Sequence, residues 1–341
     1  MGSVVGKNSL GVVRRWPELP QVAAVVVMFA FFWIMTAAKG TTPFSGANVA
    51  NALNYFGEYG LFALALGITM ILGEFDISTL GTFALGGMIA VKVGSTNPWL
   101  GAVVAVACCS AFGLGQGYII AKFRMNSMTL TVGGYLITLG LCGAINKNVE
   151  GNGNANIPPF LQKEILTIFS PMSLFVFAIF IVAGVALKYT SMGRKFLAMG
   201  GARKSSRAIG LPVNRYVTVT FGLSAALASL SGVLYSYTTA TSLVEPGLTP
   251  FLFAVTAVLI GGVSLSGGRG APFGIACGAL SLSFLYGAFQ TTAATPDISD
   301  TVYGLLLLIV AIWSAPSLKE WLGSIAAHPI FRSDKENKVA A

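Results

Sequence analysis

Apolar stretches recur along most of this chain, separated by short polar segments, and their lengths can be measured against a membrane. A helix crossing a hydrocarbon layer of ~30 Å needs about 20 apolar residues. Eight segments come close to that length: approximately 21–38, 52–72, 99–121, 128–146, 172–188, 217–237, 272–291 and 301–316. Two more, 77–94 and 250–265, are short or rich in glycine, and each adjoins a polar break of the kind that marks a re-entrant or discontinuous helix. Counting both, the pattern predicts an all-α polytopic membrane protein of about ten transmembrane helices.

The second break is the sharper one. Residues 259–270 read LIGGVSLSGGRG, an apolar run that collapses into glycine, serine and one arginine. A helix cannot pass such a segment unbroken. Backbone groups freed at membrane depth must find protein partners or a wet cavity, since each orphan costs several kcal/mol in hydrocarbon. Gly267, Gly268 and Arg269 therefore join the candidates for a translocation path, although Arg269 serves equally well as an interface anchor. A short echo links this break to the first: residues 71–78 (ILGEFDIS) match 259–266 (LIGGVSLS) in apolar, glycine and serine positions at a constant offset of 188. Repeated halves that meet at broken helices are a common way to build a transport site.

Composition agrees with the spans. Of 341 residues, 55% are hydrophobic and only 10% charged, and the mean hydropathy is +0.76. With ten spans, 17 of the 21 Lys and Arg residues fall on one side, and only Lys39, Lys92, Lys147 and Lys163 on the other. The positive-inside rule then puts both termini in the cytoplasm. The net charge of +9 is thus topological, and a nucleic-acid partner is not expected. This divides the chain into a cytoplasmic N-terminal segment 1–20, a transmembrane domain 21–316 and a cytoplasmic tail 317–341. Lys7, Arg14 and Arg15 before the first apolar run resemble a secretory signal, but an uncleaved first anchor is expected.

Two hydrophilic stretches interrupt the spans. The outer one, 148–171, is an irregular loop rich in asparagine, glycine and proline that suits a soluble partner. The inner one, 190–216, carries a short amphipathic helix signal, with Gly210 as a stop and Pro212 preventing continuation. It is either a docking face or a solvated loop whose arginines enforce topology.

Few residues offer chemistry. Glu58 lies within the second span, where a carboxylate costs about 2.5–3.5 kcal/mol and needs compensation from a wet path, a partner or the interface. Asp76 follows the first break, where it either caps the next helix or lines a path. The cysteines at 108, 109, 142 and 277 lie in apolar segments without metal-ligand spacing, and the one histidine, His328, is in the tail. No metal site, catalytic residue or cofactor is expected. No GxxxxGK[ST] phosphate loop occurs, and no series of buried carboxylates suits proton coupling. Drive from a separate subunit is favoured.

These motifs resemble the membrane permease subunits of bacterial ABC importers for monosaccharides, the ribose, xylose, arabinose and galactose type. LIGGVSLSGGRG is close to the family's late signature, and Gly73-x-x-Asp76-Ile77-Ser78 resembles its early GGIDLS element. Gly193-Arg194, Gly200-Gly201, Arg207, Gly210 and Asn214-Arg215 resemble the cytoplasmic loop that couples to the ATPase. The resemblance spans about residues 48–316. Three departures stand out: Glu74 in place of glycine, Leu80 where glycine is frequent, and Arg203-Lys204 where acidic residues are frequent. The resemblance implies a non-enzymatic subunit of the bacterial inner membrane, surrounded by lipid. Its expected partners are a second, identical or different, permease, ATP-binding subunits and a periplasmic substrate-binding protein.

A path for a neutral, hydroxylated sugar by alternating access needs many weak hydrogen bonds, for which Asn54, Ser78, Thr79, Ser264 and Ser266 are the candidates beside Glu58 and Asp76. Alternatives are an ABC permease for a nucleoside, a quorum-signal sugar or a branched-chain amino acid, a self-sufficient channel or ion-coupled carrier, and an intramembrane enzyme.

Overall fold

The computed structural model describes residues 19–38, 46–95, 97–146, 169–291 and 296–314. Among them twelve helices follow one another: α1 (Leu19–Ala38), α2 (Gly46–Ile71), α3 (Ser78–Val93), α4 (Pro98–Phe123), α5 (Ser127–Asn146), α6 (Pro171–Tyr189), α7 (Ser191–Gly201), α8 (Arg203–Ala208), α9 (Val213–Thr239), α10 (Thr249–Ile260), α11 (Pro272–Thr291) and α12 (Pro296–Ser314). The N-terminal segment, most of the outer loop 148–171, and the tail with His328 lie outside the described residues.

Six helices, α1, α4, α5, α6, α9 and α11, are long and apolar enough to cross a membrane. α2, at 26 residues, would reach about 39 Å at 1.5 Å per residue, but Asn51, Asn54 and Glu58 interrupt its first half. The two weak segments are short helices. The 16 residues of α3 and 12 of α10 give roughly 24 and 18 Å, less than the membrane's ~30 Å. The last expected span corresponds to α12, whose 19 residues give roughly 28 Å.

Local signals explain the boundaries. Asn97 accepts from the amides of Trp99 and Leu100 at the start of α4, and Ser170 from Ser173 at the start of α6, each followed by proline in the first turn. Both breaks end their helix in one geometry. At the first, Gly73 (φ +79°) donates to the Met70 carbonyl at 2.9 Å and Glu74 to that of Thr69 at 2.9 Å. At the second, Gly262 (φ +78°) donates to Leu259 at 3.0 Å and Val263 to Val258 at 3.2 Å. This is the Schellman closure, in which a left-handed residue lets the chain turn back onto the last carbonyls. The structural equivalents are Gly73 and Gly262, 189 positions apart, one more than the sequence echo. The doubled glycine at 261–262 lets the second helix run one residue further before it turns.

α9 lies at the centre, packed on α4, α3 and α2, while α11 packs on α1 and α2, and α10 fits among α2, α11 and α12. The crossing of α3 with α9 is close because Gly232 faces the Phe83 carbonyl, where a Cβ would have no room. α1, α4, α5 and α6 turn Ile34, Val103, Leu136 and Val182 outward, each more than half exposed, as an apolar environment requires.

Candidate functional site

At one end of the bundle a cavity of about 580 Å³ opens among the first half of α2, the start of α6 and the last turns of α9 and α11. Its rim is polar, with Asn51, Thr238, Thr239 and Gln290 exposed, and its depth is phenolic, with Tyr55 and Tyr59 buried. Tyr55 stacks on Tyr286 with centroids 3.7 Å apart and planes 13° from parallel, and Tyr59 tilts against Tyr235 at 5.7 Å. Below them Phe83 and Phe253 close the floor, at 5.9 and 5.8 Å from the Tyr59 ring.

Glu58 and Asn54 both line this cavity. The Glu58 carboxylate accepts from Thr238 at 3.1 Å, and its backbone carbonyl accepts from Ser231, so α2 is pinned to α9 at the level of the cavity. An aromatic plate beside a carboxylate and amides suits a hydroxylated ring, whose C–H face packs on the phenol while its hydroxyls donate to the acceptors. The described lining contains no Lys, Arg or His.

Tyr55, Tyr59, Tyr235, Tyr286 and Gln290 were not singled out by sequence reasoning. A signal for two of them exists in α2: Asn51, Asn54, Tyr55, Glu58 and Tyr59 recur at spacings of three and four, a polar and aromatic stripe on one face of an otherwise apolar helix. The other walls come from α9 and α11, some 180–230 residues further on, and no local pattern announces that they converge.

The residues of the first break are placed differently. Asp76, Ser78 and Thr79 are almost wholly buried, and their polar atoms start α3. The Asp76 carboxylate accepts from the Ser78 amide at 3.0 Å, the Ser78 hydroxyl at 2.6 Å and the Ser224 hydroxyl at 3.4 Å; Thr79 Oγ1 donates to the Asp76 carbonyl at 2.8 Å. The Ser78 hydroxyl also lies 2.8 Å from the side-chain oxygen of Gln116, which ties the start of α3 to α4. The first turn of α5 serves the break too, with Ser127 accepting from Phe75 at 3.4 Å and Thr131 from Ile77 at 3.2 Å. The orphan amides thus find protein partners in place of water.

The opposite end of the bundle carries the second break and the inner segment. Ser264 receives the Gly267 amide on its carbonyl and the Ser266 amide on its hydroxyl, and its own amide donates to the Arg269 carbonyl at 3.1 Å, so this loop closes on itself away from the cavity. Arg269 is exposed. Gly268 donates to the Ile71 carbonyl at 2.8 Å, joining the two breaks. Into the same junction comes the end of α7. A Cβ on Gly200 would collide with that Ile71 carbonyl, and one on Gly267 with Gly73.

α7 buries Gly193, Phe196, Met199 and Gly200 on one face and leaves Arg194, Lys195 and Ala198 exposed. Thr190 caps it by accepting from Gly193 at 3.1 Å. α8 stops at Gly210 (φ +81°), again by Schellman closure. Arg207, within α8, donates to Asn214 beyond that stop at 3.2 Å, and Arg124, Arg207 and Arg215 line a basic notch of about 340 Å³. Gly201 lies exposed at the end of α7, beside Gly268. The inner-loop candidates and the second break therefore gather at one end, with Asn54 and Glu58 at the other.

Comparison with known proteins supplies a frame for this two-ended arrangement. Residues 48–311 match the family described as the permease component of branched-chain amino acid transport systems. The L-arabinose transport system permease protein AraH of Escherichia coli K12 is 26% identical over 316 residues, covering 92% of this chain and 94% of its own length. The fructose import permease protein FruG of Bifidobacterium longum is 25% identical over 306 residues (86% and 90%), and the ribose import permease protein RbsC of Escherichia coli K12 is 25% identical over 276 (78% and 84%). No solved structure matches. The family match covers most of the chain, including both breaks, the inner segment and the cavity-lining helices, and the protein belongs to this family of transport-system permeases.

Proposed function

We propose that this chain is the membrane-embedded permease of an ABC importer, passing a monosaccharide from a periplasmic binding protein to the cytoplasm by alternating access driven by a separate ATPase. The observation that carries the reading is the tyrosine-lined cavity holding Glu58 and Asn54 at one end of the bundle, with the basic segment 190–216 at the other. Basic residues concentrate on cytoplasmic loops, so α7, α8 and both termini face the cytoplasm, the cavity faces the periplasm, and α3 and α10 complete a set of about ten helices. Arabinose, fructose and ribose permeases among the relatives support a sugar as cargo.

In this state the path is open outward and shut inward by the floor of Phe83 and Phe253. Asn54 and Glu58 meet the solute first. Asp76, Ser78, Thr79, Ser264, Ser266, Gly267, Gly268 and Arg269 belong to the gating region around the two breaks. Gly193, Arg194, Gly200, Gly201, Arg207, Gly210, Asn214 and Arg215 form the surface that meets the ATPase. The transporter is a dimer of permeases in the inner membrane, and the loop 148–171 receives the binding protein.

A branched-chain amino acid, named by the family description, suits the cavity less well. A zwitterion presents a carboxylate, and the described lining has no cation to pair with it.

The test is co-purification of a tagged chain from native membranes, followed by uptake in proteoliposomes. ATP-dependent accumulation of a pentose or hexose, with the ATPase and binding protein present, is the expected result. Accumulation of sugar by the chain alone would overturn the proposal, and accumulation of leucine but no sugar would move the cargo to the amino-acid class.

A further inference from the structure

The two breaks share one closure and differ at one position. In a Schellman turn the residue after the left-handed glycine ordinarily packs as an apolar contact against the helix it ends. At the second break this is Val263, 3% exposed. At the first it is Glu74, 8% exposed, a carboxylate where the geometry favours an apolar side chain. A buried charge persists only with a partner, and the partner comes from the inner segment: Arg203 Nη1 lies 2.5 Å from Glu74 Oε1. The same guanidinium donates through Nη2 to the Leu72 carbonyl at 3.2 Å.

Arg203 thus does two things at once. It neutralises Glu74, and it caps the carbonyl end of α2, where a cation complements the helix dipole. Consecutive carbonyls at that end are taken by different parts of the chain, Ile71 by the second break through Gly268 and Leu72 by Arg203. The Glu74–Arg203 contact is the one salt bridge among the described residues. The two positions are also two of those at which the sequence departs from the pattern it resembles.

We propose that Glu74 and Arg203 form a positioning pair that ties the inner segment to the end of α2, so that movement of α7 and α8 is delivered to the first break and not absorbed by the connecting loops. The inference rests on the reading of 190–216 as the ATPase-coupling segment. The pair touches no solute. Its contribution is mechanical: with the tie cut, the segment still docks through Phe196 and Met199, but its motion no longer carries α2 with it.

The test uses the complete importer, purified from membranes with its ATPase and binding protein, and reads solute transported per ATP hydrolysed. Glu74→Gln and Arg203→Gln are each expected to lower that ratio at least about fivefold, the low end of ordinary coupling factors, with ATPase association intact. The double variant is expected to be no worse than the worse single one, because two residues acting as one unit are not additive. Unchanged ratios in both single variants, or a double loss equal to the product of the two, would overturn the proposal. If the glutamine variants fail to accumulate in membranes, Arg203→Lys, which keeps the charge but not the two-pronged reach, decides instead: a lowered ratio supports the tie and a wild-type ratio refutes it. Arg194→Glu on the exposed face of α7 separates the two layers of the inference. If it uncouples while the pair variants do not, only the positioning role falls; if no variant and no solute alters ATP hydrolysis, the coupling assignment itself falls.

Discussion

Gly268 donates its amide to the carbonyl of Ile71 at 2.8 Å, a bond between segments 197 positions apart that holds the two helix breaks against each other. Gly268 has φ +74°, and a Cβ there would lie 2.5 Å from the Gly201 Cα. Gly268→Ala should therefore cost at least about 2 kcal/mol, from strain and steric conflict together. Gly201→Ala, whose nearest neighbour would be 3.6 Å from its Cβ, should be tolerated. Thermal unfolding of the purified chain in detergent compares the two. Equal melting temperatures would contradict the interlock.

Glu58→Gln keeps the shape of the cavity and the contact with Thr238 but removes the charge. Hydrogen bonds to charged acceptors are worth about 1 kcal/mol more than neutral ones, so the KM for uptake should rise roughly fivefold with no loss of thermal stability. Initial uptake rates across solute concentration measure this.

The stack of Tyr286 on Tyr55 presents a flat apolar wall. Tyr286→Phe should retain most uptake, whereas Tyr286→Ala removes about 1 kcal/mol of ring contact and should weaken solute binding about as much as Glu58→Gln does. Competition by unlabelled sugar gives the ranking.

Asp76 serves α3 as an N-terminal cap in all but position, accepting the Ser78 amide from one residue before the usual site. Asp76→Ala should lower stability by about 1–2 kcal/mol. Asp76→Asn should recover most of it, because the amide oxygen still accepts from Ser78 and the NH2 can donate to Ser224. Were Asp76→Asn to unfold as readily as Asp76→Ala, the carboxylate's charge, and not its acceptor geometry, would be what holds the turn.

Length and hydropathy made the membrane helices legible, since twenty apolar residues have few other uses, and they marked 77–94 and 250–265, where α3 and α10 form, as weaker segments that are short or rich in glycine. Gly210 and Pro212 likewise announced where the inner segment stops, because a left-handed glycine has a local cause. The cost of a carboxylate in lipid singled out Glu58. What escaped was convergence: Tyr235 and Tyr286 are ordinary residues in their own helices and become a site only when α9 and α11 meet α2. The polar residues of the breaks were conspicuous for a different reason from the cavity's, since Asp76 and Ser78 are occupied with the backbone of a helix start. Glu74 and Arg203 each looked like an isolated departure in the sequence, and only folding makes them a couple.

From Glu58 to Ile71, α2 runs fourteen residues without a proline, about 20 Å of continuous helix. Cargo chemistry and drive chemistry in such a layout are insulated from one another by about two-thirds of a membrane's ~30 Å. The lining can then be exchanged for another solute while the opposite end of the bundle is left untouched, so that one frame is free to diversify its freight.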